Sequence, residues 1–202
     1  MLTIIEPTQF KTIPWKNGLG ETTELAINDN ASLDDFIWRI SIASVINDGV
    51  FSDFSGYDRN LVLIEGGGIK LQHDAKSTDL LENMLDVASF DGGCETLGRL
   101  LDGPIKDFNI ITAQDKVLPQ VNCYIKPQQI VLNLSKNNLC FAYSLSGEIL
   151  VETFQSEANI VGTGCLAKLS FTAEKLKNNA MNVAITGKNM IIVKLELKNI
   201  ED

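Results

Sequence analysis

The chain is short of histidine, arginine and paired cysteine. It has one histidine, His73, in 202 residues. Catalytic zinc, iron and copper sites draw on two or three imidazoles, or on several thiolates at close spacing. The four cysteines stand at 94, 123, 140 and 165 and form no Cys-x-x-Cys pair. No metal and no cofactor are therefore expected. A Ser-His-Asp triad would have to use His73, and no Gly-x-Ser-x-Gly elbow accompanies it. Positive charge is also scarce: 17 Lys+Arg stand against 26 Asp+Glu, for a net charge of −9 and a pI near 4.6. That balance argues against nucleic acid, whose phosphates need a Lys/Arg surface, and against an anionic membrane. No apolar run is long enough to span a bilayer. The start, Met1-Leu2-Thr3-Ile4-Ile5-Glu6, lacks the basic region and long apolar stretch of a secretory signal. Reduced, buried thiols and a cytoplasmic location are the expectation.

What is present is apolar sequence cut into short pieces. The chain is 45% hydrophobic and 21% charged, enough for a sizeable core. Strands are predicted at Leu2 to Ile5, Phe10 to Ile13, Glu21 to Ile27, Phe36 to Ala43 and Arg59 to Glu65. Further strands are predicted at Ile69 to His73, Thr96 to Leu101 and Phe108 to Thr112. Gly66-Gly67-Gly68 reads as a hairpin turn, because no helix N-terminus or Gly-Lys-Ser/Thr follows to make it a phosphate cradle. His73 then reads as a partly exposed strand residue. Phe90 to Gly93 reads as a turn. Ser77 to Val87 fits two patterns, a helix with Leu80, Leu81, Met84 and Leu85 on one face, or an irregular β connection.

Seven more apolar runs follow between Val121 and Leu197, separated by Asn-Asn and Gly-containing turns. Phe141 to Val151 echoes Leu61 to Leu71 as strand, glycine turn, strand. Many short strands at regular spacing indicate an all-β sandwich or barrel, and the echo suggests two similar modules.

The chemistry gathers in the first half. It holds both tryptophans, His73 and the arginines at 39, 59 and 99. Pro14-Trp15-Lys16-Asn17-Gly18-Leu19-Gly20-Glu21-Thr22-Thr23-Glu24-Leu25 places an aromatic, a cation and amides on a bent loop that leads into a strand. Alternation sets Thr22, Glu24 and Ala26 on one face of that strand and Thr23, Leu25 and Ile27 on the other. This is one way to hold a small polar ligand; a β-bulge with a packed Trp is the other reading, and the stretch alone leaves them level. In Phe36 to Ala43, Arg39 and Ser41 share a face with Ile37 and Ala43. Arg39 reads as an anion clamp, or as a structural salt bridge or a surface arginine with its stem on the sheet, and pattern alone leans slightly to the latter pair.

The assembled motifs are Pro14 to Glu24, Phe36-x-Trp38-Arg39-Ile40-Ser41-Ile42-Ala43, Gly49-x-Phe51-Ser52, Gly56-x-Asp58-Arg59 and Leu101-x-Gly103-Pro104-x-x-Asp107-Phe108-Asn109. In this order and spacing, over about residues 3 to 112, the chain resembles the HutD/Ves family. Gly93 departs from the family's usual Asp, at a turn. The resemblance implies a bicupin, two β-barrel modules without the metal-binding histidines of typical cupins. The modules would be residues 1–112, carrying a ligand pocket, and 113–202, mainly scaffold, with strands exchanged between them as one option. It also implies binding of a pathway metabolite such as urocanate or a formylated glutamate, and a role in restraining histidine catabolism or in stress response.

The expected ligand is a small carboxylate or amide metabolite, and the expected binding set is Trp15, Lys16, Asn17, Thr22, Glu24, Arg39, Ser41 and Arg59. Trp15 supplies a stacking wall, Arg39 or Arg59 a carboxylate partner, and Lys16 a second positive charge. Asn17, Thr22 and Ser41 orient the ligand by hydrogen bonds. Phe51 and Trp38 shape the wall or pack in the core. Two alternatives stay open. One is a metal-free enzyme using Lys16 and Glu24 as acid and base. The other is an interaction module with a vestigial pocket. An oligomer formed through the C-terminal module is also open.

Overall fold

The computed structural model describes residues 1–15, 20–153, 157–170 and 180–198. Among them the regular structure is nineteen strands and one 3-10 turn, Pro7–Gln9. The fold is all-β, as the short apolar runs predict. Strand β1 is Leu2–Ile5, β2 is Lys11–Pro14, β3 is Gly20–Ile27 and β4 is Trp38–Val45. They are followed by β5 (Gly49–Val50), β6 (Tyr57–Gly66), β7 (Ile69–His73), β8 (Ser77–Leu81), β9 (Val87–Asp91), β10 (Thr96–Leu100) and β11 (Ile105–Ala113). The remainder are β12 (Val117–Tyr124), β13 (Gln128–Ser135), β14 (Asn138–Ser144), β15 (Ile149–Thr153), β16 (Asn159–Val161), β17 (Leu166–Ser170), β18 (Ala180–Gly187) and β19 (Met190–Leu197). Among the described residues no helix is long and apolar enough to cross a membrane.

Two compact units divide the chain. Phe10–Lys116 forms a six-stranded sheet, β2-β3-β4-β11-β6-β9, and a four-stranded sheet, β5-β10-β7-β8. Met1–Gln9 with Val117–Asp202 forms a five-stranded sheet, β1-β17-β14-β19-β12, and a four-stranded sheet, β13-β18-β15-β16. Adding eight to each label in β4-β11-β6-β9 and β5-β10-β7-β8 reproduces β12-β19-β14-β17 and β13-β18-β15-β16. The hairpin echo in the sequence is thus one part of an eight-strand repeat. Strand β1 lies outside the repeat and pairs with β17, Leu2 opposite Leu169. The first nine residues therefore belong with the C-terminal module and not with residues 10–116.

In the Phe10–Lys116 unit, Val45, Leu61 and Leu63 of the large sheet pack against Ile69, Leu71 and Leu81 of the small one. In the other unit the core is Leu134, Cys140, Ala142, Ile149, Leu169, Ile185 and Ile192, among others. Gly66 and Gly68, at φ of +102° and +109°, make the predicted β6–β7 turn. The stretch Ser77 to Val87 forms β8, its exit loop and the first residue of β9, so the β reading holds there. Phe90 and Asp91, expected in a turn, lie in β9 because that strand pairs with β6, Arg59 opposite Phe90.

Candidate functional site

Residues directly opposite in an antiparallel ladder share one face of the sheet. The pairing of β3, β4, β11, β6 and β9 therefore lays three rows across the inner face of the large sheet. One row is Thr22, Ala43, Asp107 and Leu63. The next is Glu24, Ser41, Asn109 and Leu61, and the last is Arg39, Ile111, Arg59 and Phe90. Two anions, Asp107 and Glu24, thus stand in the first two rows and two cations, Arg39 and Arg59, in the third. The alternation read from β3 holds only up to Glu24. A bulge at Leu25 puts Glu24 opposite Ser41 and Ala26 opposite Ile40, so past it Ile27, not Ala26, shares the face of Arg39. One inserted residue reverses every face that follows.

Thr22, Ala43, Ser41, Asn109, Arg39, Ile111 and Arg59 of these rows line a cavity of about 640 Å³. Trp15, Thr22, Arg39, Ser41 and Arg59 line it together, five of the eight residues expected from the sequence. Glu24 stands behind them, accepting a hydrogen bond from Arg39 Nε at 2.8 Å. Arg39 thus makes the salt bridge, is buried rather than a surface arginine, and also lines the cavity. Lys16 and Asn17 lie outside the described residues. Phe51 belongs to the lining, whereas Trp38 is buried on the opposite sheet face and packs in the core.

Trp15 is fixed from two sides. Its Nε1 donates to Thr22 Oγ1 at 2.8 Å, and its backbone N–H donates to Gly20 O at 2.9 Å. A Cβ on Gly20 would stand 2.2 Å from Ser44 O and 2.9 Å from the Trp15 ring. Only glycine lets the indole lie this close to the strand.

Arg59 is the main charged group of the cavity, with 5% of its surface exposed. Its guanidinium carbon lies 5.1, 5.4 and 5.2 Å from the ring centres of Phe51, Phe54 and Phe90. Such contacts are worth roughly 0.5–2 kcal/mol each. Nη1 donates to Ser52 O at 3.4 Å and Nη2 to Asn109 Oδ1 at 3.2 Å, both at the long end of N–H···O geometry. Nε has no partner among the described residues. Burial lowers the guanidinium to about 10, and the nearby charge of Asp107 partly offsets this. Arg59 remains a cation at neutral pH and retains unused N–H capacity inside a cavity.

Asp107 is fully buried behind Asn109. One oxygen accepts a hydrogen bond from Asn109 Nδ2, and the other has no partner among the described residues. Burial pushes its carboxyl up to about 7, against the opposing pull of Arg59 and the Asn109 bond. Asp107, Asn109 and the aromatic cage of Arg59 were not singled out as site residues by the sequence reading. The available signal was the strand Ile105–Ala113, where Asp107 and Asn109 alternate with Phe108 and Ile110. A strand started only at Phe108 leaves that polar face incomplete.

His73 is buried, not partly exposed. Its Nδ1 hydrogen-bonds Thr96 Oγ1 at 2.9 Å, its Nε2 meets Asp79 Oδ2 at 3.1 Å, and its ring lies 4.5 Å from Phe90. With both ring nitrogens satisfied, burial costs little. Among the described residues no three His, Cys, Asp or Glu side chains gather as a metal site would require.

A 21.2 kDa protein in the hutC 3′ region of Pseudomonas putida is 37% identical over 116 residues, covering 57% of this chain and 60% of that protein. Protein Ves of Escherichia fergusonii is 38% identical over 99 residues, 48% of this chain and 51% of its own length. Both matches span less than two thirds of these relatives. The structure of HutD from Pseudomonas fluorescens SBW25, described as the formate condition, superposes with a TM-score of 0.82 at 25% identity. That likeness covers 98% of this chain and 100% of the other. The two-module fold is cupin-like, a bicupin. With the family's sequence pattern matching residues 7–191, the chain belongs to the HutD family.

Proposed function

We propose that the Phe10–Lys116 module binds a small carboxylate- or amide-bearing metabolite in its cavity and does no chemistry on it. The observation that carries this reading is Arg59, a buried cation caged by three aromatic rings, with two long hydrogen bonds and an unpartnered Nε beside a 640 Å³ cavity. A carboxylate offers a guanidinium two parallel hydrogen bonds and supplies the countercharge that burial denies it. Trp15 adds a flat apolar wall, and Thr22 and Ser41 add hydroxyls for orientation. The formate condition of the Pseudomonas fluorescens HutD structure names the smallest carboxylate and is consistent with this chemistry. The hutC neighbourhood of the Pseudomonas putida relative favours a histidine-catabolism setting, with a urocanate- or formylglutamate-like ligand and restraint of pathway flux as the output. An acid–base role for Glu24 has less support, because its carboxylate is engaged by Arg39.

The test is ligand-dependent melting of the wild type and of Arg59→Met, which removes the charge and keeps most of the volume. Urocanate, N-formylglutamate and acetate are the probes. Binding stabilises the wild type in proportion to occupancy, and the variant loses about 10–100-fold in affinity, the worth of a charge-assisted hydrogen-bonded pair. Equal stabilisation of both proteins by the same ligand would remove Arg59 from the site.

A further inference from the structure

We infer that Asp107 is a positioning residue that sets which ligand charge the cavity accepts. Protonated, it leaves Arg59 a free cation and the site takes a carboxylate. Ionised, it half-neutralises Arg59 and the site favours an uncharged amide. The inference rests on the reading of the Arg59 cavity as a ligand site.

The geometry is a three-residue relay. Asn109 donates through Nδ2 to Asp107 Oδ1 and accepts through Oδ1 from Arg59 Nη2. The amide can satisfy both neighbours in one orientation only, so the carboxyl and the guanidinium are coupled through it. Asp107 does not itself line the cavity. It acts on a ligand through Asn109 and Arg59, both of which do.

The pocket around Asp107 does not favour the ionised carboxylate. A buried carboxylate needs several donors or a directly bonded cation. Asp107 has one donor, and its second oxygen has no partner among the described residues. Its neighbours across the ladders are Ala43 and Leu63, and the core of the module beside it is Val45, Ile69 and Leu71. The charged and titratable groups of the surrounding strands are few. From β6 comes Arg59, whose charge acts on Asp107. From β3 and β4 come Glu24 and Arg39, paired with each other. From the facing sheet come His73 of β7 and Asp79 of β8, also paired. Among the described residues Arg59 is the cation whose charge acts on Asp107, and an anion entering beside Arg59 competes with Asp107 for it.

The balance of charge follows. A carboxylate entering beside Arg59 places a second anion near Asp107, and Asp107 takes up one proton from solvent. The site then holds one guanidinium cation, one bound carboxylate and one neutral carboxyl. Its net charge is the same as before binding. An amide brings no charge and takes up no proton.

The experiment uses the full chain, with Trp15 emission as the signal and sodium acetate and acetamide as probes, from pH 6 to pH 8.5. The wild type should lose acetate affinity above neutral pH, approaching about tenfold per pH unit, while acetamide affinity stays level. Asp107→Asn should make the acetate profile level as well. Calorimetry of the wild type in two buffers of different ionisation enthalpy should count up to one proton taken up per acetate at pH 8. That count stands even if the variant does not fold. A level acetate profile in the wild type, no proton uptake, or an Asp107→Asn variant that keeps the slope would overturn the inference. Absence of binding by either probe at every pH would instead overturn the ligand-site reading on which it rests.

Discussion

The stability of the protein should fall as pH rises from 5 to 8, and Asp107→Asn should abolish that part of the fall. In the folded chain burial holds the Asp107 carboxyl at about 7, against an ordinary value of 3.8. The folded state therefore binds this proton more tightly than the unfolded state. The contribution is fully present below the unfolded value near pH 4 and is lost as pH rises through 7. At about 1.4 kcal/mol per tenfold difference in proton affinity, the whole window is worth roughly 4 kcal/mol. The part between pH 5 and pH 8 is up to about 3 kcal/mol, a large share of the 5–15 kcal/mol typical of a domain. Asparagine has nearly the shape of the protonated acid and cannot ionise. The variant should resemble the wild type near pH 4 and exceed it most at pH 8. Urea unfolding of both proteins at four pH values measures the difference directly, with other carboxylates cancelling between them. Parallel curves with a constant gap would show that Asp107 ionises in the folded state at no cost, and the burial argument would fail.

Gly20→Ala should destabilise the protein by about 1–3 kcal/mol, the range for overpacking, because the new methyl meets Ser44 O and the Trp15 ring. Trp15 emission should shift with it, and an unchanged spectrum with unchanged stability would mean that the indole is not seated on Gly20. Replacing Arg59, Asp107 and Asn109 together with Met, Leu and Leu should leave stability at pH 8 unchanged or raise it by about 1–4 kcal/mol, as when buried ionic groups give way to apolar ones, while acetate binding disappears. A triple variant less stable than the wild type would show that the polar cluster holds the barrel together.

Alternation along β4 was enough to place Arg39, Ser41 and Ala43 on one face, because that strand runs straight between two partners. The same rule failed on β3, where the bulge at Leu25 is a property of the pairing with β4 and leaves no mark in local composition. Arg59 was recognisable as a cation in an apolar strand. Its cage was not, since Phe51, Phe54 and Phe90 come from loops and strands that only the folded barrel brings together. His73 looked exposed because Thr96 and Asp79, the groups that permit its burial, lie on two other strands. Long-range pairing, not propensity, decided each of these cases.

The repeat supplies an internal control for the meaning of the polar cluster. Both modules use the same eight-strand order. One closes on Cys140, Ala142, Ile149, Leu169, Ile185 and Ile192, and among its described residues no charged side chain is buried, Lys194 opposite Cys140 being partly exposed. The other places Arg59 and Asp107 on the inner face of the matching sheet. Topology therefore does not require charge inside the barrel, and burying a guanidinium and a carboxyl there works against folding. A charge that neither the strand order nor the core demands, set beside a cavity and left with spare hydrogen-bonding capacity, is what the proposed ligand-binding function accounts for. On the proposed function, Arg59 is half of an ion pair whose other half is the ligand.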